Sequence, residues 1–124
     1  MTEPIVFVIR HRIKRDKADE FRRHYQDSVP RILASKTGTL VQLAYENEVA
    51  TEVTVVRVFP SADALNLQIQ RAAARTKKTY TFIEPTNIEI FGIPNPAILE
   101  AMKKIAGSGL SIKISPNYIG GFIR

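Results

Sequence analysis

At the centre of the chain stands Thr39-Leu40-Val41-Gln42-Leu43-Ala44-Tyr45-Glu46, then Asn47-Glu48-Val49-Ala50, then Thr51-Glu52-Val53-Thr54-Val55-Val56-Arg57-Val58-Phe59. The outer blocks are rich in Val, Leu, Thr and Tyr, which suit a pleated, half-buried backbone. The short block between them makes a turn and is too short for a crossover. The two strands therefore pair as an antiparallel hairpin.

Upstream, Pro4 to Ile13 reads as a first strand, rich in Ile, Val and Phe. Asp16 offers an N-cap, with Asp19 as a capping-box partner. Phe21, Tyr25, Val29 and Ile32 or Leu33 follow at helical spacing, so a helix is expected from about Lys17 to Ala34. Pro30 should kink it or end its regular part, and Gly38 closes the segment.

Downstream, Pro60 breaks the third strand and Ser61 caps a second helix running to about Arg75. That helix carries Ala64, Leu65, Leu67, Ile69, Ala72 and Ala73. Thr76 to Phe82 reads either as a loop or as a short continuation with Tyr80 and Phe82 packed inward. Thr86 to Phe91 is a fourth strand, closed by Gly92. The order is that of an α+β, ferredoxin-like βαββαβ unit with a four-stranded antiparallel sheet.

A C-terminal extension follows. Asn95 caps, Pro96 takes the first helical position, and Gly107 suits the stop. Ile98, Leu99, Met102 and Ile105 form one stripe, with Lys103 and Lys104 near the negative end of the dipole. Leu110, Ile112 and Ile114 alternate with polar residues, which predicts a short half-buried strand. Residues 1–124 thus make one domain, with residues 4–92 as the core and 93–124 as the extension. There is no internal repeat, low-complexity tract or linker.

An antiparallel sheet with helices on one face normally alternates apolar and polar residues. These strands alternate poorly: Ile5 to Ile9 is apolar throughout, Gln42 alone breaks the second strand's run, and Arg57 alone interrupts the valines of the third. Two helices cover only one face of a four-stranded sheet. The other face would be an apolar patch of the kind that marks an interface. Burial yields roughly 25 cal/mol per Å², so pairing two such faces across a two-fold axis is the expected solution. The competing arrangement has the C-terminal extension covering that face within one chain.

Composition sets outer bounds. The 124 residues are 44% hydrophobic and 24% charged, as in ordinary globular domains. With no cysteine, disulfides, zinc–cysteine sites, iron–sulfur clusters and a thiol nucleophile are excluded. Ile5 to Ile9 is too short for a membrane span or signal segment, so no membrane partner and a cytoplasmic location are expected. The net charge of +6 invites a nucleic-acid reading. However, the basic residues between Arg10 and Arg23 are interrupted by Asp16, Asp19 and Glu20, as on a solvated helix face.

The residues able to carry chemistry are few. His11, on the first strand between Arg10 and Arg12, should be held neutral by its neighbours and is a candidate proton acceptor. His24 lies beside the apolar stripe of the first helix and is the second candidate. Each has a bland alternative, an edge or interface histidine and a boundary residue respectively. Two histidines without acidic partners at ligand spacing give no metal signature. Arg10, Arg12 and Arg57 lie inside strand patterns, where a long cation must be paired, exposed at an edge or facing a pocket. Arg57 reads either as a clamp for a carboxylate or phenolate, or as an ion-pair partner of Glu46, Glu48 or Glu52. Tyr25 and Tyr45 can line a pocket or pack in the core. Ser28 and Ser35 lack a partnered base, and no nucleophile elbow exists.

With that order of elements, the chain resembles the dimeric α/β-barrel superfamily, specifically proteins of the antibiotic biosynthesis monooxygenase type. The resemblance covers Pro4 to Gly92. It is carried by Ile5 to Arg12, by Phe59-Pro60-Ser61-Ala62-Asp63-Ala64-Leu65, and by Glu84-Pro85-Thr86-Asn87-Ile88-Glu89-Ile90-Phe91-Gly92. It implies a dimeric α/β barrel in which each subunit holds a small aromatic or quinoid ligand between sheet and helices. Some such proteins oxidise their ligand with no metal or organic cofactor, so no cofactor is expected. Many relatives carry a histidine in the second helix after the Ala-Leu pair. The matching position here is Gln68, and tryptophan is absent, which disfavours haem degradation. A non-catalytic ligand-binding or sensing dimer is the alternative. RNA binding is a third reading, because the RNA-recognition motif shares this order of elements. The third strand, Thr51 to Phe59, lacks that motif's Gly-Phe-rich pattern.

Overall fold

The computed structural model describes residues 3–35, 38–71, 77–106 and 109–124, and the side chains of 69–71, 105 and 106 lie outside that description. In chain order the elements are β1 (Ile5–Ile13), α1 (Ala18–Ser35), β2 (Val41–Glu46), β3 (Glu52–Phe59), α2 (Ala62–Arg71), β4 (Ile83–Phe91), α3 (Pro96–Ala106) and β5 (Ser111–Ser115). The continuation of α2 toward Arg75, with Ala72 and Ala73, and the stop at Gly107 fall outside the described residues.

The strands lie in the order β2-β3-β1-β4-β5. The central hairpin is antiparallel, with Gln42 opposite Arg57 and Ala44 opposite Val55. Asn47 holds its turn: its side-chain oxygen accepts from the backbone N–H groups of Thr51 and Glu52 at 2.9 and 3.0 Å. The sheet has five strands rather than the expected four, and it is mixed rather than purely antiparallel. β5 pairs parallel to β4, with Ile88 beside Ile112 and Ile90 beside Ile114. The reason is the intervening helix. A helical crossover returns the chain in the same direction, so the next strand adds in parallel.

Local chemistry explains most boundaries. Ser61 Oγ accepts from Ala64 N–H at 3.2 Å, and Asn95 Oδ1 accepts from Ala97 N–H at 2.9 Å, so both expected caps form. The expected Asp16 cap does not. Lys17 N–H bonds back to Lys14 C=O at 3.0 Å, and Asp16 takes φ 61°, a left-handed turn position that Asp tolerates. Lys17 C=O then accepts from Phe21 N–H, and Asp19 pairs with Arg22 instead of closing a capping box. Pro30 neither ends α1 nor confines it, because the helix continues to Ser35. The carbonyl orphaned by proline belongs to Gln26, an exposed residue where water can replace the lost bond.

Strand alternation sorts side chains onto two faces. Ile5, Phe7, Ile9, His11 and Ile13 of β1 are buried beneath the helices, with Val53, Val55 and Phe59 of β3. Leu65 of α2 and Ile98 and Met102 of α3 pack on Ile5, Phe7, Ile9, Phe59, Ile88 and Ile90. Phe21 of α1 packs on Ile13, Val53 and Ile83, with Tyr80 and Phe82 against them. The extension therefore shares the helix-covered core and does not cover the opposite face. That opposite face carries Val6, Val8, Val41, Leu43, Val56, Val58 and Phe91, none of them buried. Gly92 joins core to extension at φ +126°, and a Cβ there would meet Ile5 Cγ1 at 3.0 Å. Both the backbone angle and the close approach require glycine.

Candidate functional site

The alternation that buries Ile9 also buries His11, which is only 5% exposed. Its Nδ1 is buried and has no hydrogen-bond partner among the described residues. Burial first, and the charge of Arg57 second, lower its pKa to about 4, against the raising effect of the Val53 backbone. The imidazole is therefore neutral near pH 7, as its arginine-rich setting suggested. The dominant cause is desolvation rather than neighbouring charge, and the arginine responsible is Arg57 rather than Arg10 or Arg12.

Arg57 lies on β3, with Phe7 opposite on β1 and Gln42 opposite on β2. Its Nε donates to Gln42 Oε1 at 3.4 Å, and Gln42 Nε2 donates to the Tyr25 hydroxyl at 3.5 Å. These are long, weak bonds that a better acceptor can displace. Glu46, one of the expected ion-pair partners of Arg57, instead receives Arg22 Nε and Nη2 at 2.7 and 3.0 Å. Arg57 also acts on Tyr80, whose hydroxyl is pushed up by burial and drawn down by the guanidinium. Tyr25 packs against Phe21 with ring centroids 6.0 Å apart.

Beside this network lies a cleft of about 150 Å³, lined by Val29, Ile32 and Leu33 of α1 and by Thr39, Leu40 and Gln42 at the start of β2. It is mostly apolar, and Gln42 links it to Arg57 and Tyr25. A cavity near this volume accommodates one aromatic ring. Thr39 Oγ1 donates to Gln68 Oε1, fastening α2 to the cleft's rim.

The structure thus gathers His11, Tyr25, Arg57 and Gln68 on the helix-covered side of the sheet. It separates the others. Arg10 pairs with Glu89 at 2.7 Å and Arg12 pairs with Glu84, both on the open face. Tyr45 is on that face too, 65% exposed. His24 stands apart on α1, with Nε2 3.3 Å from Thr79 Oγ1 and its ring against Phe82. Gln42, Thr39 and Tyr80 join the site without having been singled out. Gln42 left a trace in the sequence: it alone interrupts the apolar run of its strand, and hairpin register sets it opposite Arg57. Among the described residues, no three His, Asp or Glu side chains stand together in a way that could hold a metal ion. No described helix is long and apolar enough to cross a membrane.

No protein-family model matches the sequence, and no curated protein matches it. Solved structures do. MupZ from Pseudomonas fluorescens aligns with a TM-score of 0.72 at 12% identity, over 100% of this chain and 91% of its own. SnoaB, a cofactor-independent oxygenase from Streptomyces nogalater, aligns with a TM-score of 0.62 at 11% identity, over 76% of this chain and 96% of its own. A candidate antibiotic biosynthesis monooxygenase from Bacteroides thetaiotaomicron aligns with a TM-score of 0.59 at 15% identity, over 71% and 85%. At these identities the likeness is one of fold: the chain has the α+β fold of antibiotic biosynthesis monooxygenase-like proteins.

Proposed function

We propose that the chain forms a homodimer through its open sheet faces, and that each copy binds a small acidic aromatic or quinoid ligand in the cleft beside β2. The observation that carries the ligand reading is the meeting of an apolar, ring-sized cleft with the Gln42–Arg57–Tyr25 network. The cleft walls suit a ring. Arg57 suits a phenolate or carboxylate oxygen, which would draw Gln42 or replace it as acceptor. SnoaB's chemistry makes a cofactor-independent oxygenation the first reaction to test.

In that reaction a ring CH₂ flanked by electron-withdrawing groups loses a proton to water at the cleft mouth, because the cleft lining holds no base. The resulting carbanion, with its charge spread onto an oxygen facing Arg57, reduces dioxygen. One oxygen atom stays as the new ring carbonyl, and the other leaves as water with the two hydrogens of the CH₂. Water returns the proton to the departing oxygen. The test is oxygen uptake with an acidic aromatic substrate that carries such a ring CH₂, in the presence of chelator. Uptake lost in Arg57→Gln is expected. Binding without uptake removes the oxygenase reading, and no binding removes the ligand reading.

A second reading, a non-catalytic binding dimer, is favoured by the cleft lining, which holds no base, and by His11, which stands outside that lining. A pKa of about 4 makes it a weak base, with roughly 3 kcal/mol less drive to accept a proton than an unperturbed imidazole. Thermal stabilisation by the same compounds with no product formed would select this reading.

A further inference from the structure

The segment after β5, residues 116–124, carries Ile119 at 100% and Phe122 at 81% exposure. Tyr118 and Ile123 are also exposed. Yet the segment has a defined shape: Gly120 and Gly121 lie at φ +152° and +147°, and the Tyr118 hydroxyl donates to Gly121 C=O at 3.3 Å. It is an apolar arm that its own chain leaves bare.

A second bare apolar region lies at the opposite edge of the sheet. Leu33 is 80% exposed, and Val29 and Leu40 beside it are exposed as well. These three residues form half the lining of the candidate ligand cleft. Strand register relates the two regions. Ser115 is paired with Phe91, Phe91 with Val6, Val6 with Val58, and Val58 with Val41. The arm's root and the cleft's entrance thus stand on one row, at the same end of the sheet and on opposite edges. Five strands span about 19 Å at the usual spacing. Nine extended residues reach about 30 Å.

When two copies meet open face to open face about a two-fold axis running along the strands, left and right exchange and the ends stay matched. Each copy's arm then emerges beside the other's β2 edge, about 10 Å from it across the paired sheets, and passes that edge to reach the cleft on the helix-covered side. From this we infer that the ligand cleft is completed in trans: the arm of a second copy, through the partner's Phe122 and Ile119, lies over Leu33 and Leu40 and closes the cleft. The inference rests on the face-to-face dimer and adds to it a residue-level role for the arm. It supplies one cover for each bare entrance, which a reciprocal exchange satisfies with none left over. It also defines the ligand class further, as a molecule small enough to be enclosed by the cleft with the arm across it.

The chain has no cysteine, so single-cysteine variants give a direct test. Leu33→Cys chains and Phe122→Cys chains are mixed at dilution, concentrated together and mildly oxidised. The mixed disulfide should form well in excess of either self-disulfide. Independently, the thiol-modification rate of Leu33→Cys should rise at least about tenfold when residues 116–124 are deleted, if the arm covers the entrance nine-tenths of the time. Sedimentation of the full chain is run alongside. A monomer at every concentration overturns the dimer and the arm exchange together. A dimer that gives no mixed disulfide, and an unchanged modification rate on deletion, overturns the arm exchange alone. Both positions are highly exposed, so neither substitution threatens the fold.

Discussion

The two faces of the sheet are built from the same strands and treat charge in opposite ways. On β1, Arg10 and Arg12 point to the open face, and each finds a carboxylate across the strand, Glu89 and Glu84. His11, between them in sequence, points under the helices, and its Nδ1 has no partner among the described residues. A single-residue step along a strand therefore separates solvated pairing from desolvation. On the helix-covered side charge is paired at the margin, where Arg22 meets Glu46, and the buried imidazole is neutral.

The contrast is sharpest in the core. Phe59 is fully buried beneath α2. Phe59→Ala is expected to cost about 3–5 kcal/mol in urea unfolding. A cost near that of an open-face Val8→Ala would erase the distinction between the faces.

Next in size is the pH response of His11. The folded state lowers its proton affinity, so as pH falls the unfolded chain takes up the proton first. Stability from this group is complete above pH 6.5, declines as pH falls through 6.5 toward about 4, and is level below that. The difference is roughly 3 kcal/mol across the window. Unfolding of the wild type and of His11→Leu at pH 7.5 and pH 4 should show that much more acid sensitivity in the wild type. Equal slopes would mean that His11 is solvated.

On the open face the expected effect falls on association rather than on folding. Val56→Asp leaves the helix-covered core untouched. It should weaken dimerisation by about 2 kcal/mol or more, because it buries an unpaired charge at the centre of an apolar patch. Sedimentation equilibrium measures it. The smallest effect belongs to the surface pairs: Arg10→Met should change monomer stability by less than about 1 kcal/mol, since both partners of its pair remain partly solvated.

Much of this architecture was legible. Residue type and turn length alone place β1, the central hairpin and the two capping side chains Ser61 and Asn95. Alternation exposes the apolar second face, because Val56 and Val58 point together away from Arg57, which lies between them. What stayed hidden depends on contacts distant in sequence. The extension's strand could be recognised from Ile112 and Ile114. That it adds to β4, and on which side α3 packs, is fixed by Ile98 and Met102 meeting Phe59 and Ile90. The site was half visible. Arg57 interrupts a valine run and draws notice by itself. Gln42 gains meaning only from register, and Tyr80 only from a segment whose local signal is ambiguous.

Gly92 carries a consequence for how such a protein can be rearranged. Its backbone N–H bonds to Ser115 C=O at 2.9 Å, and it leaves no room for a side chain against Ile5. The first strand, the joint and the last strand are thus fitted to one another at a single point. A chimera that transplants the final third of the chain onto another scaffold must carry that glycine and an isoleucine-shaped neighbour as a set, or the grafted strand will miss its seat.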